Sequence, residues 1–171
     1  MKRYIVYAFN YLIHDVPIWL VCFILSFLPA TTTINYIRGF LVRPFLGKCG
    51  KRFQLGKGVI INHPELLRIG NDCYISHNCY VQARGTVVLG NNVIIGPMTI
   101  IASSNHIIVD GIVTNKGDSF PIRIDDGTWC GGNVTITAGT HIGKSVVVGA
   151  GAVVTKDVPD NQKAFGVPAR F

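Results

Sequence analysis

The chain has 171 residues and a formal net charge of +7, with 49% of residues hydrophobic and 15% charged, enough for one well-buried domain plus a short extension. No basic run is interleaved with aromatics and no helix-turn-helix or zinc-finger spacing occurs, which disfavours nucleic acid and leaves an anionic membrane face or a phosphorylated small molecule as partner for the positive charge. The five cysteines, Cys22, Cys49, Cys73, Cys79 and Cys130, are odd in number and unpaired in spacing, which argues against a disulfide framework and for a reducing compartment.

The first predicted element is an apolar, basic helical extension over residues 1–48. Lys2 and Arg3 precede the apolar segment Ile18 to Leu25 in the manner of a signal peptide. However, His14, Asp15 and Pro17 stand between them, and no clean cleavage site follows. The apolar run from Val16 to Leu28 has 13 residues, against about 20 for a spanning helix. Basic residues flank it on both sides: Lys2 and Arg3 before, then Arg38, Arg43, Lys48, Lys51 and Arg52 after. Equal flanks suit a segment that enters and leaves on one membrane face. Three readings stand: a membrane-surface or re-entrant anchor, a helix packed on the following domain or in an oligomer interface, and a true signal or span.

Residues 49–171 form the second predicted domain, and its aliphatic residues keep time. They run Leu55, Ile61, Ile69, Ile75, Val81, Leu89, Ile95 and Ile101, then Ile124, Cys130, Ile136, Ile142, Val148 and Val154. The step is six except for two steps of eight and one long gap. Neither a helix nor a simple strand has that period; a short strand and a turn, repeated around a prism, does. Each aliphatic points inward. The small residue after it, often Gly, is expected where the backbone turns sharply. Four residues after most of these aliphatics comes a second small or apolar side chain: Val59, Cys73, Cys79, Val93, Thr99, Thr128, Val134, Thr140, Val146, Ala152 and Val158. The register makes Cys73, Cys79 and Cys130 core residues. A parallel β-helix from about Leu55 to Lys156 follows, with one long loop over residues 103–123.

Function tends to sit where such a scaffold is interrupted. Asn105-His106 opens the loop, and histidine has an unperturbed pKa suited to a general base near neutrality. His63 and His141 read as turn residues, and His14 belongs to the extension.

Two stretches carry a resemblance. Asp126-Gly127-Thr128-Trp129-Cys130-Gly131-Gly132-Asn133-Val134-Thr135-Ile136 leads into Gly149-Ala150-Gly151-Ala152-Val153-Val154-Thr155-Lys156-Asp157-Val158-Pro159, and Gly166-Val167-Pro168-Ala169-Arg170 ends the series. Over roughly residues 50–171 the chain resembles the hexapeptide-repeat acyltransferases, most of all the maltose, galactoside, nodulation-factor and colanic-acid O-acetyltransferases. The resemblance implies an all-β solenoid, a left-handed parallel β-helix. It implies acetyl-CoA as co-substrate, no metal, a sugar or glycan acceptor, and a homotrimer with the site between prisms. His106 takes the place of the family's catalytic histidine. Trp129, Gly132, Ala150, Thr155, Lys156 and Arg170 take donor-site places. Ser76-His77-Asn78 stands where the acceptor pocket often has Asn-x-Asn, so Asn78, Ser76 and Asn105 are acceptor candidates, with Ser76 a departure from the pattern. A backbone N–H near Gly131 or Gly132 is the expected oxyanion donor.

The expected function is O-acetylation of a sugar hydroxyl in surface polysaccharide or lipid-linked glycan synthesis. The expected address is cytoplasmic, peripheral on the inner face of the membrane through residues 1–48. N-acetylation of an amino sugar, acetylation of a xenobiotic and a non-catalytic scaffold are the alternatives. A carbonic anhydrase on the same fold would pair two ligand histidines five residues apart, and Gly111 stands at that offset from His106.

Overall fold

The computed structural model describes residue 6 and residues 8–171; Lys2 and Arg3, the leading basic flank, lie outside the described residues. A π-helical turn, Tyr11–Asp15, runs into α1 (Val16–Leu25), and α2 (Thr32–Val42) follows. The helical stretch Ala8–Leu25 has 18 residues of mean hydropathy 1.6. By length and composition it is apolar enough to cross a membrane. It outruns the 13-residue apolar stretch because the π-helical turn carries His14 and Asp15 into the helix.

The strands then wind around a three-sided prism. The first coil holds β1 (Lys48–Cys49), β2 (Gln54–Leu55) and β3 (Ile60–Asn62). The second holds β4 (Leu67–Ile69), β5 (Tyr74–Ile75) and β6 (Tyr80–Gln82), and the third β7 (Val87–Leu89), β8 (Ile94–Ile95) and β9 (Ile100–Ala102). A hairpin of β10 (Ser104–Val109) and β11 (Ile112–Ser119) intervenes. The fourth coil holds β12 (Ile122–Ile124), β13 (Trp129–Cys130) and β14 (Thr135–Thr137), and the fifth β15 (His141–Ile142), β16 (Val147–Val148) and β17 (Val153–Val154). β18 (Lys163–Ala164) closes the series. Parallel pairing builds three faces: β1-β4-β7-β12-β15, β2-β5-β8-β13-β16-β18 and β3-β6-β9-β14-β17, here called faces 1, 2 and 3. The solenoid is longer than the repeat alone predicts, since Lys48–Cys49 pairs with β4 and Lys163–Ala164 with β16.

The register is as read. All fourteen aliphatic positions and all eleven secondary ones are buried, so stacked identical positions make one continuous core. Burial pushes the Cys130 thiol up to about 12 and the Cys73 and Cys79 thiols upward as well, leaving three inert core thiols.

The turn chemistry differs from expectation by two residues. Left-handed backbone falls at the third residue after the inward positions of faces 1 and 2: Gly58, Asn78, Met98, Asn133 and Gly151 between faces 2 and 3, and Arg52, Asp72, Asn92, Gly127, Ser145 and Asn161 between faces 1 and 2. The glycine immediately after the aliphatic has a different role. A Cβ on Gly96 would stand 2.4 Å from the Gly131 carbonyl carbon in the next coil, so that position is small because coils stack there.

The helices seal the open end of the prism. Gly39 of α2 lies so close to the coil that a Cβ would stand 2.1 Å from the Phe53 carbonyl oxygen. Arg38, 1% exposed, donates from Nη1 to the Leu55 carbonyl (2.8 Å) and from Nη2 to the Leu25 carbonyl (3.2 Å). Its guanidinium thereby serves a strand at the edge of face 2 and the C-terminal end of α1 together.

Candidate functional site

The expected loop over residues 103–123 is an antiparallel hairpin whose closing residues, Ile122 and Arg123, already belong to β12. Its two-residue turn, Asp110-Gly111, has φ of 50° and 77°, positive at both positions as a type I′ turn requires. Asp-Gly between Ile108-Val109 and Ile112-Val113 was the sequence signal for it. His106 lies inside β10, opposite Gly117 and beside the irregularity between His106 and Ile108. Its Nδ1 is 3.1 Å from the Thr114 carbonyl oxygen. A carbonyl only accepts, so Nδ1 carries the hydrogen and Nε2 of the neutral ring keeps its lone pair. Thr114 is held in turn, its hydroxyl donating to the Ile107 carbonyl (2.9 Å). The ring is exposed, and this contact selects the tautomer with Nε2 unprotonated.

The acceptor candidates divide. Asn105 neighbours His106 but faces the other side of β10. Ser76 is buried and donates to the Tyr74 hydroxyl (3.1 Å), while His77 Nδ1 lies 3.3 Å from both oxygens. His77 Nε2 is buried without a hydrogen-bond partner among the described residues. Asn78 is exposed and holds a left-handed turn at φ 57°, which explains an asparagine there by backbone geometry. Ser76 and Asn78 sit where face 2 meets face 3, whereas the hairpin leaves where face 3 meets face 1. The three-residue strands of face 3, about 10 Å long, separate them. One chain does not bring Ser76 and Asn78 together with His106.

The donor candidates are on the surface. Trp129 is 52% exposed on face 2, flanked in register by Ile94 and Val147. Gly132 and Ala150 occupy equivalent corner positions in successive coils, and Thr155 and Lys156 follow β17 on the hairpin's edge. Lys156 and Arg170 are exposed and form no ion pair among the described residues. Free cations on an open surface fit a phosphate-bearing ligand. Gly131 departs from expectation. Its N–H donates to the Val148 carbonyl (2.8 Å), and a Cβ there would meet the Ala150 nitrogen at 2.7 Å, so it serves coil stacking. Gly132 keeps its N–H uncommitted among the described residues.

Sequence reasoning missed a cavity of about 300 Å³ between the N-terminal helices and the hairpin's edge of face 3, lined by Tyr11, Asp15, Asn62, Tyr80, Gln82 and Arg84 among others. Burial and the neighbouring Glu65 carboxylate push Asp15 above its ordinary value. These residues occupy outward positions that the repeat leaves unspecified, and no local signal marks them. No group of metal-ligating side chains occurs among the described residues.

The family model for the hexapeptide repeat of succinyl-transferase matches residues 67–97 and 121–156. A candidate acetyltransferase of Saccharomyces cerevisiae is 34% identical over 131 residues, covering 76% of this chain and 67% of that one. The galactoside O-acetyltransferase of Escherichia coli is 33% identical over 134 residues, covering 78% and 66%. This chain thus spans about two thirds of the length of both relatives. Among solved structures, a hexapeptide-repeat acetyltransferase of Vibrio cholerae complexed with acetyl coenzyme A superposes with a TM-score of 0.79 at 27% identity, covering 91% of this chain and 83% of that one. The shared architecture is the left-handed parallel β-helix.

Proposed function

Because the chain belongs to the hexapeptide-repeat acetyltransferase family, we propose that it transfers the acetyl group of acetyl-CoA to a sugar hydroxyl, with His106 as general base. The observation that carries this reading is the Nδ1 contact to the Thr114 carbonyl, which leaves Nε2 as the proton acceptor at an exposed edge. In the proposed reaction the hydroxyl proton passes to Nε2 as its oxygen bonds to the thioester carbonyl carbon. The carbon–sulfur bond then breaks, and the proton goes from Nε2 to the leaving thiolate. The products are acetyl ester and free thiol. No covalent acyl-enzyme is invoked, in keeping with the raised pKa values of the three core cysteines. Trp129, Gly132, Ala150, Thr155, Lys156 and Arg170 hold the donor in this reading, with Lys156 and Arg170 on its phosphates. The Gly132 N–H is the candidate oxyanion donor.

The working unit in this reading is a homotrimer. Two observations support it: Ser76 and Asn78 lie across face 3 from His106, and Ile108, Val109, Ile112 and Val113 leave an apolar, exposed hairpin tip. A neighbouring prism supplies the missing side of the site and covers the tip. The acceptor is a glycan at a membrane surface, in keeping with Trp19, Phe23, Phe27 and Phe40, which are large, apolar and 50–78% exposed. The corresponding address is the inner face of the cytoplasmic membrane and the pathway class is surface-glycan synthesis. Incubating the protein with acetyl-CoA and a panel of galactosides, nucleotide sugars and lipid-linked glycans, and following free thiol, tests the reading. Acceptor-dependent release that His106→Ala abolishes supports it; release unchanged in that variant refutes it.

A further inference from the structure

Two cavities meet beneath the N-terminal helices. The polar one, about 300 Å³, includes Tyr11, Asp15, Asn62, Tyr80, Gln82 and Arg84. The second, about 200 Å³, is lined chiefly by Ile18, Trp19, Cys22, Val59, Ile60 and Ile61. Both are walled by Tyr11, Asp15 and Asn62, so they form one groove with an apolar and a polar half.

The polar half ends under the hairpin. Gln82 Nε2 donates to Ser104 Oγ (2.5 Å) at the start of β10. Arg84 Nη1 lies 3.8 Å from the point a Cβ on Gly117 would occupy. Gly117 is the cross-strand partner of His106, so the two Cβ directions share one face of the hairpin. Ser104, two residues before His106, shares that face as well. Arg84 forms no hydrogen bond or ion pair among the described residues, so its donors are available. The apolar half opens beside Trp19, whose ring stacks on Phe23 at 5.4 Å at the head of the exposed aromatic strip of α1.

We propose that this groove is the acceptor channel for an amphiphilic glycan. The hydrocarbon chain lies along Ile18, Trp19 and Ile60, and the sugar lies among Asn62, Tyr80 and Gln82. Arg84 hydrogen-bonds the sugar oxygens next to the hydroxyl that His106 deprotonates. The chemistry of the two halves carries the assignment. A wholly soluble sugar makes no use of the apolar half, and a lipid without a sugar makes no use of the Arg84 donors beside the hairpin. The inference rests on the sugar O-acetyltransferase reading and specifies its acceptor.

Calorimetric binding of methyl and octyl β-galactosides to the full chain, below the micelle concentration, tests the groove independently of turnover. Each buried methylene adds about 0.8 kcal/mol, so octyl is expected to bind at least about tenfold more tightly than methyl. Ile60 is exposed, so Ile60→Lys leaves folding intact and is expected to bring the octyl-to-methyl ratio near one. Arg84→Ala is expected to weaken both ligands about tenfold. Equal affinity for the two ligands in the unsubstituted protein, or an octyl advantage that survives both Ile60→Lys and Trp19→Asp, overturns the channel. Free-thiol release run alongside separates the two readings. Chain-length preference without release keeps the channel and refutes acetyl transfer, whereas release without the preference does the reverse.

Discussion

The coils and the N-terminal helices use the same apolar residue types to opposite ends. Along face 2, Leu55, Ile75, Ile95, Cys130, Val148 and Ala164 stack with no exposed surface. In α1 and its continuation, Trp19, Phe23 and Phe27 are 63%, 50% and 78% exposed. In the prism a residue's place in the six-step sends it inward wherever the coil occurs. A helix that is apolar all round has no preferred side; only Ile18 and Leu25 of α1 are buried, and Ile18 joins the main core with Val21 and Cys22 packed against it. The difference teaches that one region's burial is local geometry, and the other's exposed face calls for a partner outside the chain.

The sharpest break between the regions concerns chemistry. His106→Ala is expected to lower acetyl transfer by about 10²–10⁴-fold without moving the melting temperature, because the ring is exposed; thiol release and circular dichroism check both halves. Next in size, Ile136→Ala in the core should cost about 2–5 kcal/mol by denaturant unfolding. Arg38→Leu probes the junction of the two regions. It strips donors from the Leu55 and Leu25 carbonyls, and about 1–3 kcal/mol should be lost, read as faster hydrogen exchange in the first coil. A smaller effect comes with acid. Burial raises Asp125, but hydrogen bonds from His141 Nε2 (2.8 Å) and Arg123 Nε (2.6 Å) outweigh it and hold the carboxyl below its ordinary range. A depressed native pKa stabilises fully above the unfolded value of about 3.9, and that stability is lost as pH falls through the native value. Asp125→Asn should flatten this acid limb of the unfolding curve. Smallest is Phe23→Ser, expected within about 0.5 kcal/mol of the parent, yet reducing co-sedimentation with anionic vesicles. A large loss of stability there would mean that the helix face is covered within the protein itself.

Some of the site was legible early. His106 and the break beside it stood out because an unbroken rhythm makes any interruption visible. The hairpin was legible only in its Asp110-Gly111 turn, which the wider gap obscured. The i+1 glycines were recognised as necessary for the wrong reason, since sequence does not separate a residue that must twist from one that must let the next coil approach. Ser76 and Asn78 are acceptor candidates by resemblance alone, and the fold adds that one is a buried hydroxyl and the other a left-handed turn. Asn62, Gln82 and Arg84 had no signal, because residues on the outside of a prism meet each other and the hairpin only after coils far apart in sequence are stacked.

The amino-acid sequence by itself determined the period, the inward set and the place where the rhythm fails, because a six-residue repeat fixes which side chains share a face. Tertiary structure alone decided what the helices cover, which nitrogen of His106 the Thr114 carbonyl engages and which outward residues gather under the hairpin. Those outcomes depend on distances between coils and helices that no local pattern encodes.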